Sequence, residues 1–191
     1  MRAIYLFHAL FYASFALRLL RTPAATAAPH AEGETRDAPS RRGLVAAHGV
    51  GFGLMYFGIG HVAFGRSSPA FLLPPHPWLG GAVIVLATAL VAWALLVFRS
   101  WRLDARIEAG HELCTAGPFG LVRHPIYLAT ALLNLGSFLW IPTGLLAAGG
   151  VFSLLAADQR ARAEEGVLLG AFGDAYRDYA ARVKRFVPGL Y

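Results

Sequence analysis

An arginine, a histidine and a proline stand together directly before a long apolar run of the sequence. They are Arg123, His124 and Pro125, and no charged residue or histidine occurs between Ile126 and Ala157. Proline suits the first position of a helix, and the residue before a proline is kept out of helical geometry. We therefore predict a helix that begins at Pro125, with His124 at its cap and free N–H groups beside Arg123. Such a helix start attracts anions.

Groups of other kinds are expected near this helix start. The glycine-rich turn 117–120 would let a ligand approach the backbone closely, and the ring of Tyr127 could take a cation. Glu164 and Glu165 follow the next apolar run and add two carboxylates. Arg160 stands four residues before Glu164, so taken alone these charges favour a solvated, self-paired helix end. Taken together, the residue types favour a ligand of mixed charge.

The composition indicates that membrane helices position these residues. The chain is 57% hydrophobic, with a mean hydropathy of +0.52, which is too apolar for an ordinary soluble domain. A membrane span needs about 20 apolar residues, and Pro142 divides the last apolar run into two helices. We predict an all-α integral membrane protein of about five transmembrane helices with a C-terminal helical hairpin. The predicted spans are 3–20, 44–65, 78–98, 125–140 and 143–158.

The distribution of basic residues sets the predicted orientation. The net charge is +6, and of the 17 lysines and arginines only Arg2 and Arg66 fall outside one side of the predicted topology. This is the positive-inside pattern, and it explains the charge without nucleic acid, for which no binding module is present. The loop 22–43, the stretch 99–124 and the tail are then cytoplasmic. Lys184 is the sole lysine, which is typical of a GC-rich genome and hence predicts a bacterial inner membrane.

The two ends of the chain carry further predictions. Basic residues follow the first apolar run instead of preceding it, which is the reverse of a signal peptide, so we expect residues 1–28 to be retained. The tail, 159–187, is predicted to be a basic amphipathic helix at the cytoplasmic face. Its apolar stripe comprises Tyr176, Tyr179, Val183 and Phe186.

The second predicted span contains glycines and histidines that also require an interpretation. Gly49 and Gly53 form a small-xxx-small pair that predicts close helix packing. His48 and His61 lie at opposite ends of this helix, about 20 Å apart, so they cannot share a metal. We expect them to form hydrogen bonds between helices. A single cysteine, Cys114, excludes an intramolecular disulfide, and we predict no metal site.

The segments GPFGLVRHPIYL and RARAEEGVLLGAFGDAYRDYAARVKRFVP together resemble the isoprenylcysteine carboxyl methyltransferase family, which also groups with bacterial phospholipid methyltransferases. The resemblance covers roughly residues 78–188, so we divide the chain into N-terminal helices (1–77) and a catalytic region (78–191). Ala129 stands where the family often has glycine. The family hallmark is matched by Arg123, His124, Pro125, Tyr127, Glu164, Glu165, Phe172, Gly173, Tyr176 and Tyr179.

The resemblance implies a methyltransferase that uses S-adenosylmethionine, in a pocket closed by the C-terminal helices and reached from the cytoplasm. His124 would hold the methionine carboxylate with support from Arg123, and Tyr127 would pack near the sulfonium. Glu164 and Glu165 would order the site, one toward cofactor or substrate and one pairing an arginine such as Arg160 or Arg123. The resemblance further implies cofactor contacts from Leu113, Thr115, Gly117, Val122 and Pro125.

The methyl acceptor and two other function classes stay open at this point. Methyl transfer from a sulfonium needs positioning and exclusion of water more than a metal or strong base. The acceptor could be a prenylcysteine-type or other lipophilic carboxylate, a phospholipid amine, or a small thiol or phenol. A related helical domain occurs in sterol-type reductases that use NADPH, although the chain lacks an additional arginine cluster for a 2′-phosphate. The third possibility is a non-catalytic membrane protein on the same scaffold.

Overall fold

The computed structural model describes residues 2–21, 40–65, 70–98 and 113–191, and these ranges form a helical bundle. A short 3-10 turn at Gly117–Gly120 precedes the fourth helix, and the described residues contain isolated β-bridges but no strand ladder. The all-α class is therefore confirmed. The helices are α1 (Ile4–Arg21), α2 (Ser40–Phe64), α3 (Pro77–Val97), α4 (Pro125–Trp140), α5 (Gly144–Phe172) and α6 (Asp174–Arg182).

Two helices are long and apolar enough to cross a membrane. They are the Gly43–Phe64 part of α2 and the whole of α3, with mean hydropathies of 1.4 and 2.4. The apolar helices Ile4–Leu20 and Pro125–Trp140 are shorter. The structure thus supports two candidate spans by length and composition, and the predicted number of five stays a prediction.

Proline sets the boundaries of the central helix pair. Pro77 and Pro125 occupy the first turns of α3 and α4, where a missing N–H breaks no helical bond. The two helices pack antiparallel and very closely, because a Cβ on Gly80 would lie 2.5 Å from the carbonyl oxygen of Gly136. Residues 141–143 separate α4 from α5, as Pro142 predicted.

Helix α1 is fixed to its neighbours by a buried histidine. His8 Nδ1 lies 2.7 Å from the hydroxyl of Tyr56 on α2, and His8 Nε2 lies 2.9 Å from Ser137 Oγ on α4. Both ring nitrogens of this histidine are therefore satisfied, as buried polar groups normally are.

The packing of α2 on α5 corrects the predicted glycine pair. A Cβ added at Gly49 or Gly53 would meet nothing within 4 Å. The close approach occurs instead at Gly51, where a Cβ would collide with Ser153 Oγ and lie 3.0 Å from the carbonyl oxygen of Gly149. The small-xxx-small spacing was correct in kind, but it identified the wrong face of α2.

The C-terminal region differs from the single tail helix predicted over 159–187. Helix α5 is continuous from Gly144 to Phe172 and so includes the start of that tail. Gly173 then adopts φ +53, a left-handed conformation that glycine takes readily. The short α6 follows, and residues 183–191, which we call the C-terminal segment, lie beyond its end.

Two predicted connections fall wholly or largely outside the described residues. Of the predicted loop 22–43, only its last four residues are described, and they belong to α2, which begins at Ser40. Residues 99–112, which belong to the stretch 99–124 predicted to be cytoplasmic, lie outside the described ranges.

Candidate functional site

The turn before α4 is fixed by packing against α3 and α6. Gly117 has φ +57, and a Cβ there would lie 3.0 Å from Val97 Cγ2 on α3. Phe119 is buried, and its carbonyl oxygen accepts a hydrogen bond of 2.7 Å from the hydroxyl of Tyr179 on α6. His124 then caps α4 in a non-helical conformation, as predicted. These contacts fix the backbone from which Arg123 and His124 project.

The C-terminal segment runs parallel to the residues that precede α4. Val122 and Lys184 form a parallel β-bridge. The N–H of Arg123 donates to the carbonyl of Lys184 at 2.8 Å, and the N–H of His124 donates to that of Arg185 at 3.1 Å. The backbone N–H groups of Arg123 and His124 are therefore already bound.

Glu165 on α5 accepts hydrogen bonds from three basic side chains. Arg123 donates from Nε and Nη2 at 3.0 and 2.9 Å, and His124 Nε2 lies 3.2 Å away. Arg185 donates from Nε and Nη2 at 2.9 and 2.7 Å. We call Glu165, Arg123, His124 and Arg185 the Glu165 cluster. Burial by itself would raise the pKa of Glu165, but the bonds from Arg185, His124 and Arg123 outweigh it and hold that pKa well below its ordinary value.

Arg123 has further partners that restrict it to this cluster. Its Nη1 donates to the carbonyls of Ala180 and Val183, at 3.1 and 2.5 Å. Its side chain is 11% exposed. The guanidinium thus joins α4, α5 and the end of α6, and its donors are used within the protein.

The other end of the C-terminal segment is attached to α5. Arg185 Nη1 lies 3.2 Å from Asp158 Oδ1, and the hydroxyl of Tyr191 donates to the same oxygen at 2.9 Å. Arg162 donates to the Tyr191 hydroxyl at 2.6 Å. This network keeps Arg185 beside Glu165.

Glu164 has a different environment from its neighbour. It accepts a short hydrogen bond from the hydroxyl of Tyr127, and its Oε2 lies 3.6 Å from His124 Nδ1. Within the described part of the chain, no lysine or arginine forms an ion pair with it. Its side chain is 26% exposed, against 15% for Glu165. Glu164 is therefore the carboxylate of the pair that can meet a ligand.

Aromatic faces complete the site around Glu164. The rings of His124 and Tyr127 are stacked, with centroids 5.6 Å apart and planes at 20°. The guanidinium carbon of Arg160 lies 5.3 Å from the centroid of the Tyr127 ring, so the expected pairing of Arg160 with Glu164 is replaced by a cation–π contact. The ring of Phe186 also lies near His124, with centroids 6.0 Å apart. The ring of Tyr127 thus already contacts a cation.

The structure brings most, but not all, of the predicted site residues together. Arg123, His124, Tyr127, Glu164 and Glu165 meet at one end of the bundle, where α4 begins and α5 passes. Pro125 fixes the start of α4, and Val122 contributes its backbone bridge. No described contact joins Leu113, Thr115 or Gly117 to these side chains; Gly117 packs on α3 and the carbonyl of Thr115 lies beside Gly120.

Three side chains near the site were not assigned to it from the sequence. Arg185 was placed on the polar face of the predicted tail helix, and Phe186 on its apolar stripe. His48 was assigned a hydrogen bond between helices, yet its ring centroid lies 6.3 Å from that of Tyr127. The RHP-x-Y and Glu-Glu motifs identified part of the site. Arg185, Phe186 and His48 come from segments that contact residues far away in the sequence.

The described residues contain no group of three or more histidine, cysteine or acidic side chains that could hold a metal ion. No protein-family model matches the chain, and neither does any curated protein.

Proposed function

We propose that this protein is a membrane-embedded methyltransferase that uses S-adenosylmethionine. The observation that carries the proposal is the environment of Glu164, a part-exposed carboxylate with no lysine or arginine paired to it in the described residues. It lies beside the stacked rings of His124 and Tyr127 at the start of α4. The motif resemblance of Arg123 to Tyr127 and of Glu164 and Glu165 supplies the reaction class.

The residues present fit the charged groups of this cofactor. Glu164 would take its ammonium group, since a carboxylate without a cationic partner gains most from a new one. The ring face of Tyr127, which already contacts the cation of Arg160, would take the sulfonium. In the described backbone no carbonyl accepts the N–H groups of Ile126 and Tyr127, so they and His124 would hold the carboxylate. Leu113, Thr115, Gly117 and Val122 stay candidates on the resemblance alone.

When bound, S-adenosylmethionine would supply an electrophilic methyl group, which a nucleophile would take in line as the sulfur leaves. The protein's own contribution would be positioning and exclusion of water. Phe186 of the C-terminal segment lies against His124, and Tyr127 stacks on it. A metal or a covalent intermediate is unnecessary for this chemistry.

Arg123 and Glu165 are positioning residues in this proposal. Each is satisfied by its partners within the Glu165 cluster, and together they fix His124 and the C-terminal segment against α4. Arg123 was expected to support the cofactor carboxylate directly. Its four described hydrogen bonds to Glu165, Ala180 and Val183 favour an indirect role instead.

The proposed membrane arrangement follows from where the charges lie. Helix α5 has 29 residues, or about 44 Å at 1.5 Å per residue, which exceeds the roughly 30 Å hydrocarbon core. Its charged second half, which carries Arg160 and both glutamates, would project into the cytoplasm. The five predicted spans would then place the site at the cytoplasmic membrane face of a bacterial inner membrane. A lipophilic or small acceptor would enter between the helices.

Two alternatives make different predictions. A reductase that uses NADPH would need cations for a 2′-phosphate, but Arg123 and Arg185 are both engaged with Glu165. A non-catalytic membrane protein would bind neither cofactor. These observations are compatible with a carboxylate, an amine, a thiol or a phenol as the methyl acceptor.

The experiment is transfer of a labelled methyl group from S-adenosylmethionine to lipids and small acceptors in membranes that contain the protein. We expect transfer by the wild type and by Asp174→Asn, since Asp174 is exposed and its one ion pair within the described residues is with Arg177. In Glu164→Gln the rate of methyl transfer should fall at least tenfold. Equal transfer by Glu164→Gln and Asp174→Asn would remove Glu164 from the proposed site.

A further inference from the structure

His48 on α2 is a buried histidine whose ring nitrogens have no hydrogen-bond partner among the described residues. Its side chain is 5% exposed, and neither Nδ1 nor Nε2 is bonded. His8 shows how the same bundle treats another buried histidine, since both of its nitrogens are bonded within 2.9 Å. Buried polar groups without partners are rare and costly. An imidazole kept in this state has a donor and an acceptor available to a ligand.

The position of His48 connects it to the site described above. Its ring stacks on Phe52 with centroids 5.0 Å apart and planes at 2°, and lies 6.3 Å from the ring of Tyr127. Tyr127 in turn stacks on His124. A row of rings, which are Phe52, His48, Tyr127 and His124, thus runs from the apolar interior of α2 to the charged cluster.

The surroundings of His48 define which ligand chemistry it can serve. Phe52 and Tyr127 present apolar rings, and Ser153 packs one turn deeper against Gly51. Arg160 on α5 is close enough to interact with His48 electrostatically. An amine is an ammonium at neutral pH and has no free electron pair until it loses a proton, and an anion would lose its hydration among the rings. A neutral head group that carries one acidic hydrogen suits this environment best.

We propose that His48 binds the methyl acceptor and accepts its proton, and that the acceptor is therefore a lipophilic thiol or phenol. This inference rests on the proposed methyltransferase function and specifies its substrate class. The bond between the acceptor's sulfur or oxygen and the methyl carbon forms as the carbon–sulfur bond of the sulfonium breaks. That electron pair stays on sulfur, which becomes a neutral thioether, and the acceptor's proton passes to His48.

The charge balance of this step favours a histidine in a buried site. One positive charge is present before the reaction, on the sulfonium, and one afterwards, on the imidazolium. The reaction therefore moves a positive charge within the site and creates no additional one, which limits the cost of desolvation. A carboxylate acceptor would lose no proton and would leave His48 without a role.

The test compares His48→Gln with wild type, using octanethiol, 4-octylphenol and decanoate as acceptors. Glutamine keeps a hydrogen-bonding side chain but cannot take a proton. We expect the thiol or the phenol to be methylated, with kcat about 100-fold lower in His48→Gln at pH 7 and affinity for S-adenosylmethionine unchanged. The defect should shrink as the pH rises and the acceptor ionises in solution, because the base is then unnecessary.

The pH comparison is made against wild type because other groups near His48 also titrate or carry charge. They are Tyr127 on α4, Arg160 on α5 and, behind Phe52, Tyr12 on α1. His61→Gln is the matched control, since it changes a histidine at the opposite end of the same helix, and it should retain wild-type transfer.

The possible results test three claims separately: the role of His48, the acceptor class and the proposed function. Near-wild-type thiol or phenol methylation by His48→Gln at pH 7 overturns the role of His48. Transfer to decanoate alone, or cofactor binding without transfer to the thiol or phenol, overturns the acceptor class. A folded wild-type protein that does not bind S-adenosylmethionine overturns the proposed function itself.

Discussion

Glu165 and Arg123 form a two-bond ion pair between α5 and the residue two positions before α4, at 3.0 and 2.9 Å. Both side chains are largely buried, at 15% and 11% exposed. The same carboxylate also binds Arg185 and His124. A single glutamate therefore holds together the start of α4, the charged second half of α5 and the C-terminal segment.

Glu165→Gln should destabilise the folded protein strongly. The amide leaves the largely buried guanidinium of Arg123 without its counter-charge and removes one of the two carboxylates beside Arg185, and breaking such pairs costs about 3 kcal/mol. Asp174→Asn is the matched control, because its exposed pair with Arg177 contributes at most about 0.5 kcal/mol. Thermal unfolding of both variants in the same detergent measures the difference. A Glu165→Gln variant as stable as Asp174→Asn would contradict the structural role of the cluster.

The stability of the wild type should fall in acid for the same reason. The pKa of Glu165 is lower in the folded than in the unfolded protein, so its contribution is complete above the ordinary carboxyl value and is lost as the pH falls below it. The Tm difference between wild type and Glu165→Gln should therefore be constant from pH 7 to about pH 5 and decrease below about pH 4.5. A difference that is the same at pH 4 and pH 7 would exclude this linkage.

Two glycines on α2 should respond oppositely to alanine. At Gly51 a new Cβ would lie 2.9 Å from the backbone nitrogen of Ser153, so Gly51→Ala should cost about 1–3 kcal/mol. Gly53 has open space, so Gly53→Ala should be neutral or stabilise by up to about 1 kcal/mol through helix propensity. Unfolding in detergent compares the two. Equal stability would mean that α2 does not pack on α5 through Gly51.

Glu164 and Tyr127 should contribute differently to cofactor affinity. Glu164→Gln removes the carboxylate proposed for the ammonium group and should weaken S-adenosylmethionine binding at least tenfold, or about 1.4 kcal/mol. Tyr127→Phe keeps the ring and frees Glu164, so its effect should stay below about threefold. Tyr127→Leu removes the ring face and should cost about tenfold. If Tyr127→Phe and Tyr127→Leu weaken binding equally, the ring of Tyr127 does not contact the sulfonium.

The sequence predicted those parts of the fold that follow from local rules. Proline at a helix start, the cap at His124 and the break at Pro142 depend on backbone sterics, and all three occur in the structure. The two glutamates were expected near the helix start because they follow the next apolar run of the sequence. Which glutamate pairs an arginine depends on the approach of α5 to α4, which no local pattern contains.

The C-terminal segment shows where local reasoning was insufficient. The spacing of Tyr176, Tyr179, Val183 and Phe186 predicts one helix, but the helix ends at Arg182. Hydrogen bonds from Arg123 and His124 to the carbonyls of residues 184 and 185 compete successfully with helical ones. The Phe172–Gly173 pair followed by Asp174 is a helix-stop and cap pattern that could have indicated the break before α6.

The contacts of His48 could not be predicted from local sequence pattern either, for a related reason. Its position on α2 gave no information on which helix it would face. The expected hydrogen bond between helices is absent from the described residues. Its ring instead stacks on Phe52 and approaches Tyr127, a residue 79 positions later in the chain.

The central claim is that the end of the bundle around Glu164 binds S-adenosylmethionine, and calorimetric titration of the detergent-purified protein tests it most directly. NADPH is titrated in parallel, and His124→Ala is the site variant, with folding of each sample verified by circular dichroism. We expect saturable binding of S-adenosylmethionine alone, weakened at least tenfold in His124→Ala. No binding of S-adenosylmethionine by folded wild-type protein, or saturable binding of NADPH instead, would contradict it.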